Sequence, residues 1–256
     1  MSFKPGLEPF RISDFDAVTF DVYGTLIDWE PSIITFFSEW ASRNGVHALG
    51  DELLMAFDRA RAAIQMERPA HLYPDVLRRS FDQICGEFGV EPDPATREAF
   101  AESPRTWPAY PDSHDGLLAL QTRAKIGALS NIDGASLRAS SMKLGFSFDL
   151  VVTAERVGAY KPDWPHFRVA LDELQAMGIP PERVLHVGQS LRADVVPANN
   201  LGLTCAWIHR PGRMLGLSGD SVADAKPDLT VSSLAELVSA LTLGSEMRPP
   251  PDRRAT

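Results

Sequence analysis

The chain has 256 residues, 44% of them hydrophobic, and a formal net charge of -9. That is enough apolar material for one generous core, or for a core with a smaller satellite domain. The acidic balance excludes a nucleic-acid partner, which needs basic surface to displace counterions. No apolar run approaches the roughly 20 residues that span a bilayer, and Met1 to Glu8 lacks the charged and apolar regions of a secretory signal. The expectation is a cytoplasmic chain with no membrane partner. Cys85 and Cys205 are the only cysteines. Far apart in such a chain, they read as buried thiols rather than a disulfide, and no cysteine or histidine spacing suggests zinc.

In chain order, Ala17 to Phe20 reads as a short buried strand that ends in Asp21-Val22-Tyr23-Gly24-Thr25. This places Asp21 at the edge of a parallel sheet, where open α/β folds bind ligands. From Asp28 to Tyr110 the pattern is helical, with no convincing strand. Ile33 to Trp40, Glu52 to Gln65 and Tyr73 to Phe88 carry apolar residues at helical spacing, and Pro92, Pro94, Pro104, Pro108 and Pro111 mark the return to the sheet. Strand-like runs follow at Lys125 to Leu129, Leu150 to Thr153, Val184 to Val187 and Thr204 to Ile208, with a weak sixth at Leu229 to Val231. They alternate with helical segments at Asp115 to Arg123, Ser136 to Leu144, Pro165 to Met177, Ala193 to Leu201 and Ser233 to Leu241. Alternation of this kind predicts an α/β fold with a parallel sheet covered on both faces. The core comprises 1–27 and 111–245, a helical cap is inserted at 28–110, and 246–256 is a loose tail.

The strand ends carry the chemistry. Asp21 closes the first, Ser130 and Asn131 the second, Lys161-Pro162 follows the third, and Gly188-Gln189-Ser190 with Asp194 follows the fourth. Each has an ordinary structural reading. Asp21 could close a turn, Ser130-Asn131 could cap a helix, Lys161 could be a solvated lysine, and Asp194 could be a first-turn acid facing the helix dipole. Together they form a carboxylate nucleophile, neutral donors, a fixed ammonium and a second carboxylate. That set can perform displacement followed by hydrolysis.

In order and spacing these four segments resemble the motifs of the haloacid dehalogenase superfamily, over nearly the whole chain from Asp16 to about Leu241. The resemblance implies a Rossmann-like sheet domain with a cap inserted after the first motif. Two departures separate the chain from the phosphatases of that superfamily. Tyr23 stands where they carry a general-acid aspartate, and a phenol of pKa about 10 is ill suited to that task near neutrality. Gln189 stands where they carry an acid that helps to hold Mg²⁺. Both departures resemble the L-2-haloacid dehalogenase branch, whose first motif has the form Asp-x-Tyr-Gly-Thr and which works without metal or other cofactor.

That resemblance implies attack of Asp21 on Cα of a small 2-halocarboxylate, loss of halide with inversion, and hydrolysis of the aspartyl ester. Lys161 is expected to keep Asp21 ionised by lowering its pKa, and Asp194 to orient or deprotonate the water. Thr25 and Ser130 are expected to position the nucleophile or ester. Ser130 and the backbone after Asp21, at Val22 and Tyr23, are expected to take the substrate carboxylate, with Asn131 at the substrate or the leaving halide and Ser190 also at the substrate. A cap arginine should receive the halide. Arg59 and Arg61 lie two positions apart, so they cannot share a helix face, and Arg61 is favoured. Phe167 stands where the resemblance implies a tyrosine, and Trp29, Trp40 and Trp164 are candidates for an apolar slot or for packing. His186 and His209 read as packed, and His166 lies near Lys161. The reading leaves open a homodimer, a Mg²⁺-dependent phosphatase or phosphonate-cleaving enzyme using Asp21 and Asp194, a hydrolase of another small electrophilic acid, and a scaffold without activity.

Overall fold

The computed structural model describes residues 1–3, 10–217 and 222–243, so the expected tail at 246–256 lies outside the described residues. Six parallel strands form the sheet: β2 (Ala17–Phe20), β3 (Lys125–Ser130), β4 (Leu150–Thr153), β5 (Val184–Gly188), β6 (Thr204–Ile208) and β7 (Leu229–Val231). A short antiparallel strand β1 (Ser2–Phe3), which the sequence pattern does not announce, pairs with β7. The order is β1-β7-β6-β5-β2-β3-β4. The chain therefore moves outward from β2 to β3 and β4, then returns to the other side of β2 at β5. That reversal makes the C-terminal ends of β2 and β5 the switch point, where such sheets open a crevice.

β2 and β5 are buried on both faces, which is why each reads as a continuous apolar run rather than an alternation. Val18, Phe20, Leu185, Val187, Ala206 and Ile208 point to one face. It is covered by α5 (Ser113–Gln121), α6 (Gly134–Leu144) and α10 (Leu234–Leu243). Ala17, Val184 and Cys205 point to the other, where Phe167, Ala170 and Leu174 of α8 (Pro165–Ala176) and Ala198 of α9 (Val196–Asn200) pack.

Between β2 and β3 the chain forms the cap helices α1 (Glu30–Asn44), α2 (Gly50–Gln65), α3 (Tyr73–Glu87) and α4 (Pro94–Glu102). The fourth helix corrects the expectation that Pro92 and Pro94 begin the return to the sheet. Asp93 accepts from the Thr96 amide as an N-cap, Pro94 sits in the first turn where it lacks no needed donor, and Phe100 and Ala101 are buried. Phe37, Phe57, Phe81 and Phe100 meet edge-to-face, tilted or, for Phe37 and Phe81, stacked, with centroids 4.8 to 6.4 Å apart, and centre the cap core. The two passages between cap and core run side by side. Asp28 N–H donates to the Pro108 carbonyl at 2.8 Å and Tyr110 N–H to the Leu26 carbonyl at 3.0 Å. The short helix α7 (Ala154–Val157) follows β4.

Candidate active site

Asp21 emerges from β2 with its amide bonded to the Val187 carbonyl of β5 at 2.9 Å. The chain then turns sharply at Gly24, whose φ of 97° is a conformation that favours glycine, and its amide closes the turn on Ile27 at 2.8 Å. This turn brings the Thr25 hydroxyl back onto Asp21 Oδ2 at 2.9 Å. Asp21 Oδ1 accepts from Lys161 Nζ at 3.0 Å. Both oxygens of the carboxylate are thus held, and the residue is only 8% exposed.

Lys161 lies between α7 and α8 and is buried along its whole length. Its ammonium also donates to the Leu129 carbonyl at 2.8 Å and to Asp194 Oδ1 at 2.6 Å, so its three protons meet three acceptors. Asn131 fixes the backbone beneath it. The Asn131 amide donates to the Lys161 carbonyl at 3.0 Å and accepts from the Lys161 N–H at 2.6 Å. Asn131 thus holds the Lys161 backbone while it lines the cavity, with one N–H of its amide beyond the bond to the Lys161 carbonyl.

Asp194 belongs to a π-helical turn, Leu191–Val195, which opens the segment expected as one helix at 193–201 and runs into α9. Ser190 caps that turn through its hydroxyl, and its N–H donates to Asp194 Oδ2 at 3.1 Å. The Asp194 side chain passes so close to Gly188 that a Cβ there would meet it at 2.5 Å, which excludes any larger residue at the end of β5. His186 lies beneath, with Nδ1 3.0 Å from the Thr19 hydroxyl and Nε2 3.5 Å from Asp194. Burial holds this imidazole below its ordinary pKa. His166, packed with Nε2 3.1 Å from the Ser130 carbonyl, is driven to about 3 by burial and by the nearby Lys161 ammonium. Both rings are therefore neutral at neutral pH.

The two carboxylates on Lys161 differ. Burial pushes Asp21 up to about 6, more than Lys161 pulls it down, with the charge of Asp194 adding to the rise. The expected lowering of Asp21 by Lys161 is present but loses to desolvation. Asp194 is also desolvated, yet Lys161 and His186 bring it down to about 2. A carboxylate so acidic, with both oxygens occupied, is a poor proton acceptor. Asp194 anchors Lys161 and lines the cavity, so of its two expected roles the geometry favours orienting the water over deprotonating it.

Over Asp21 lies a cavity of about 70 Å³. Asp21, Tyr23, Ser130, Asn131, Lys161, Ser190 and Asp194 all reach it, as does Arg61 from the cap. Val22 does not. Its side chain is buried in the core, so only its backbone could meet a ligand. The Tyr23 hydroxyl is turned away onto Ser140 at 2.6 Å, and burial raises its pKa above the ordinary phenol range. Arg59 is not part of the cavity. It lies on the outer side of α2, mostly exposed and paired with Glu87 at 2.8 Å. Trp29 lines the cavity, whereas Trp40 is packed in the cap core and Trp164 lies at the surface beside Arg168. Phe167 is buried with its ring edge against His186, 4.8 Å between centroids.

Sequence reasoning missed Tyr73, Arg192, Ala193, Leu215 and Gly216, which also line the cavity. Tyr73 opens α3, and nothing in the local pattern distinguishes it from a core residue. The loop after β6 reaches the site because Glu30 of α1 accepts from the Met214 and Leu215 amides at 2.8 and 3.0 Å, and Gln189 donates to the Leu215 carbonyl.

Three polar groups lining this cavity are buried without a partner: Ser130 Oγ, Trp29 Nε1 and Arg61 Nε. Arg61 also lies 5.2 Å from the Trp29 ring. Burial works against its charge, but Asp58, with Tyr73 and Asp21 adding to it, holds the guanidinium above its ordinary range. Unsatisfied buried donors cost stability unless a ligand completes them, and donors around a cation fit an anionic ligand. A divalent cation fits poorly. The oxygens of Asp21 and Asp194 are engaged by Lys161, Thr25 and Ser190, and Gln189 directs its amide to the loop. Among the described residues no three His, Cys, Asp or Glu side chains form a metal-binding group. Among those residues, too, no helix is long and apolar enough to cross a membrane.

Comparison with known proteins gives a consistent fold and two kinds of chemistry. The sequence model of the haloacid dehalogenase-like hydrolases matches residues 15–202. The chain is 29% identical over 236 residues to the 5-amino-6-(5-phospho-D-ribitylamino)uracil phosphatase YigB of Escherichia coli (strain K12), covering 88% of this chain and 95% of that protein. It is 24% identical over 226 residues to the (S)-2-haloacid dehalogenase H-109 of Pseudomonas putida, covering 87% and 96%. The crystal structure of the L-2-haloacid dehalogenase PA0810 superposes with a TM-score of 0.71 at 26% identity, covering 89% of this chain and 98% of that one.

Proposed function

We propose that this chain, which belongs to the haloacid dehalogenase-like hydrolase family, converts short 2-haloalkanoic acids to 2-hydroxy acids through a covalent ester on Asp21, with inversion at the reacting carbon. The observation that carries this reading is the pairing of a fixed carboxylate with a small cavity rimmed by unpartnered donors and a cap arginine. Asp21 attacks Cα, and the carbon–halogen electron pair leaves as halide. Water then adds to the aspartyl carbonyl and the ester C–O bond breaks. One water proton ends on the hydroxyl of the product, and the other is released as Asp21 returns to its carboxylate. Lys161 and Thr25 hold the attacking group in a near-attack geometry. The Ser130 hydroxyl and the backbone at Val22 and Tyr23 take the substrate carboxylate, and Arg61 with the Trp29 indole receives the halide. These steps call for no metal.

A phosphatase is the second reading, favoured by the 29% identity to YigB. Against it stand Tyr23, whose buried phenol is a poor general acid, and Gln189. The deciding experiment is halide release from racemic 2-chloropropionate in buffer containing EDTA. Release that stops at half conversion and leaves one enantiomer supports the dehalogenase. Absence of release, with Mg²⁺-dependent hydrolysis of a phosphate ester, sinks it.

The dehalogenase rate should rise with pH through about 6, because attack requires ionised Asp21 and burial raises that group. A rate of halide release that stays flat between pH 5 and 8 would contradict the assignment of Asp21. Arg61→Ala is expected to lower kcat/KM by roughly 100-fold, the scale of a lost anion-stabilising donor. Arg59→Ala, on the outer side of the same helix, should leave it unchanged within about twofold. Equal losses in the two variants would remove Arg61 from the site.

A further inference from the structure

Arg210, two residues past β6, is buried to 5% exposure although it does not line the cavity. Its Nη2 and Nε donate to the Thr25 carbonyl at 2.8 and 3.2 Å. Its Nη1 donates to both oxygens of Asp112 at 2.9 Å each, and the guanidinium lies 4.0 Å over the Tyr110 ring. Asp112 in turn accepts from the Leu234 and Ala235 amides at the start of α10, at 2.7 and 3.2 Å. Thr25 carries the hydroxyl that donates to Asp21 Oδ2. A continuous path therefore runs from α10 through Asp112, Arg210 and Thr25 to the carboxylate. A buried guanidinium is costly unless its donors are paired, and here most of its pairing is spent on one backbone carbonyl of the nucleophile loop and one carboxylate beside the cap passage.

We propose that Arg210 is a positioning residue for Asp21: its fork clamps the Thr25 carbonyl to the Asp112 anchor, which sets the Thr25 hydroxyl and through it the orientation of the attacking carboxylate. The flat fork matters, because a lysine ammonium cannot hold a carbonyl and a carboxylate in one fixed plane. The clamp acts before any leaving group is chosen, so it stands independently of the substrate assigned above.

The test reads Asp21 itself, by carbon NMR titration of the labelled side-chain carboxyl in the ligand-free protein, with Asp21→Asn providing the assignment. It therefore gives an answer whether or not the protein releases halide. Asp21 faces Lys161, Asp194 and Arg61, all left in place by Arg210→Lys, so a change in its midpoint reports the Thr25 donor. Arg210→Lys is expected to keep a cooperative melt and to raise the Asp21 midpoint by about half a pH unit or more, as loss of a hydrogen bond to the charged form demands. Thr25→Val should raise it similarly, and the double variant should add nothing beyond Thr25→Val. If Arg210→Lys does not fold, Asp112→Asn, which weakens the other anchor, is read by the same criteria. An unchanged midpoint, or effects that add in full, overturns the proposal.

Discussion

Asp21→Asn is expected to lower halide release by about 10⁴-fold or more, the scale of removing a nucleophile, while leaving the protein at least as resistant to denaturant. The two halves of this result share one cause. Burial raises Asp21 to about 6 because its charge is costly in that site. A neutral amide relieves that cost, Lys161 keeps its bonds to Asp194 and the Leu129 carbonyl, and the Thr25 hydroxyl can turn to accept from the new amide. A site that gains stability when its attacking group is neutralised has a built-in conflict between function and stability. Halide release and a denaturant melt on the same preparation check both halves. Retained turnover would remove Asp21 as the nucleophile, and a large loss of stability would show that its charge supports the fold.

Lys161→Met is expected to cost about 3–5 kcal/mol of folding stability and to abolish activity at neutral pH. Methionine fills much of the volume of the stem but leaves Asp21 and Asp194 buried without the cation they share. Each carboxyl would then titrate higher in the folded variant than in the unfolded chain. Above the unfolded value of about 4 the unfolded chain gives up protons that the folded variant keeps, so the deficit grows as pH rises. Urea unfolding of variant and wild type at pH 5 and pH 8 checks this, with the larger difference expected at pH 8. Equal differences at the two values would mean that the penalty is a packing defect rather than unpaired charge.

The local signals in this chain were strong where one element decides its own burial. β2, β4, β6 and β7 fall on the residues the apolar runs predict, because a short apolar run bounded by polar or turn residues marks a strand whether it is buried on both faces, as β2 is, or partly exposed, as β4 is. α4 was obscured by its own helix-starting residues. Asp93 and Pro94 look like loop punctuation until Phe100 and Ala101 are known to be buried. The antiparallel β1 is too short to carry a pattern.

The sequence by itself determined the α/β class, the inserted helical segment and the set of strand-end residues, since each rests on periodicity or spacing within short stretches, and the order of those residues carries the resemblance to the family. Only the tertiary structure decided what those residues do to one another. The sequence places Arg61 and Arg59 on different faces of one helix and favours Arg61 only slightly, and the packing of α2 directs that one to the cavity and the other to Glu87. Asn131 holds the Lys161 backbone, Asp194 is held acidic by the cation it anchors, and burial outweighs Lys161 at Asp21. Arg210 and Leu215 reach the site from a loop that follows the last motif by more than a dozen residues. The physical reason is the same throughout: hydrogen-bond pairing and desolvation depend on which groups meet in space, and residues far apart in the chain carry no local trace of that meeting.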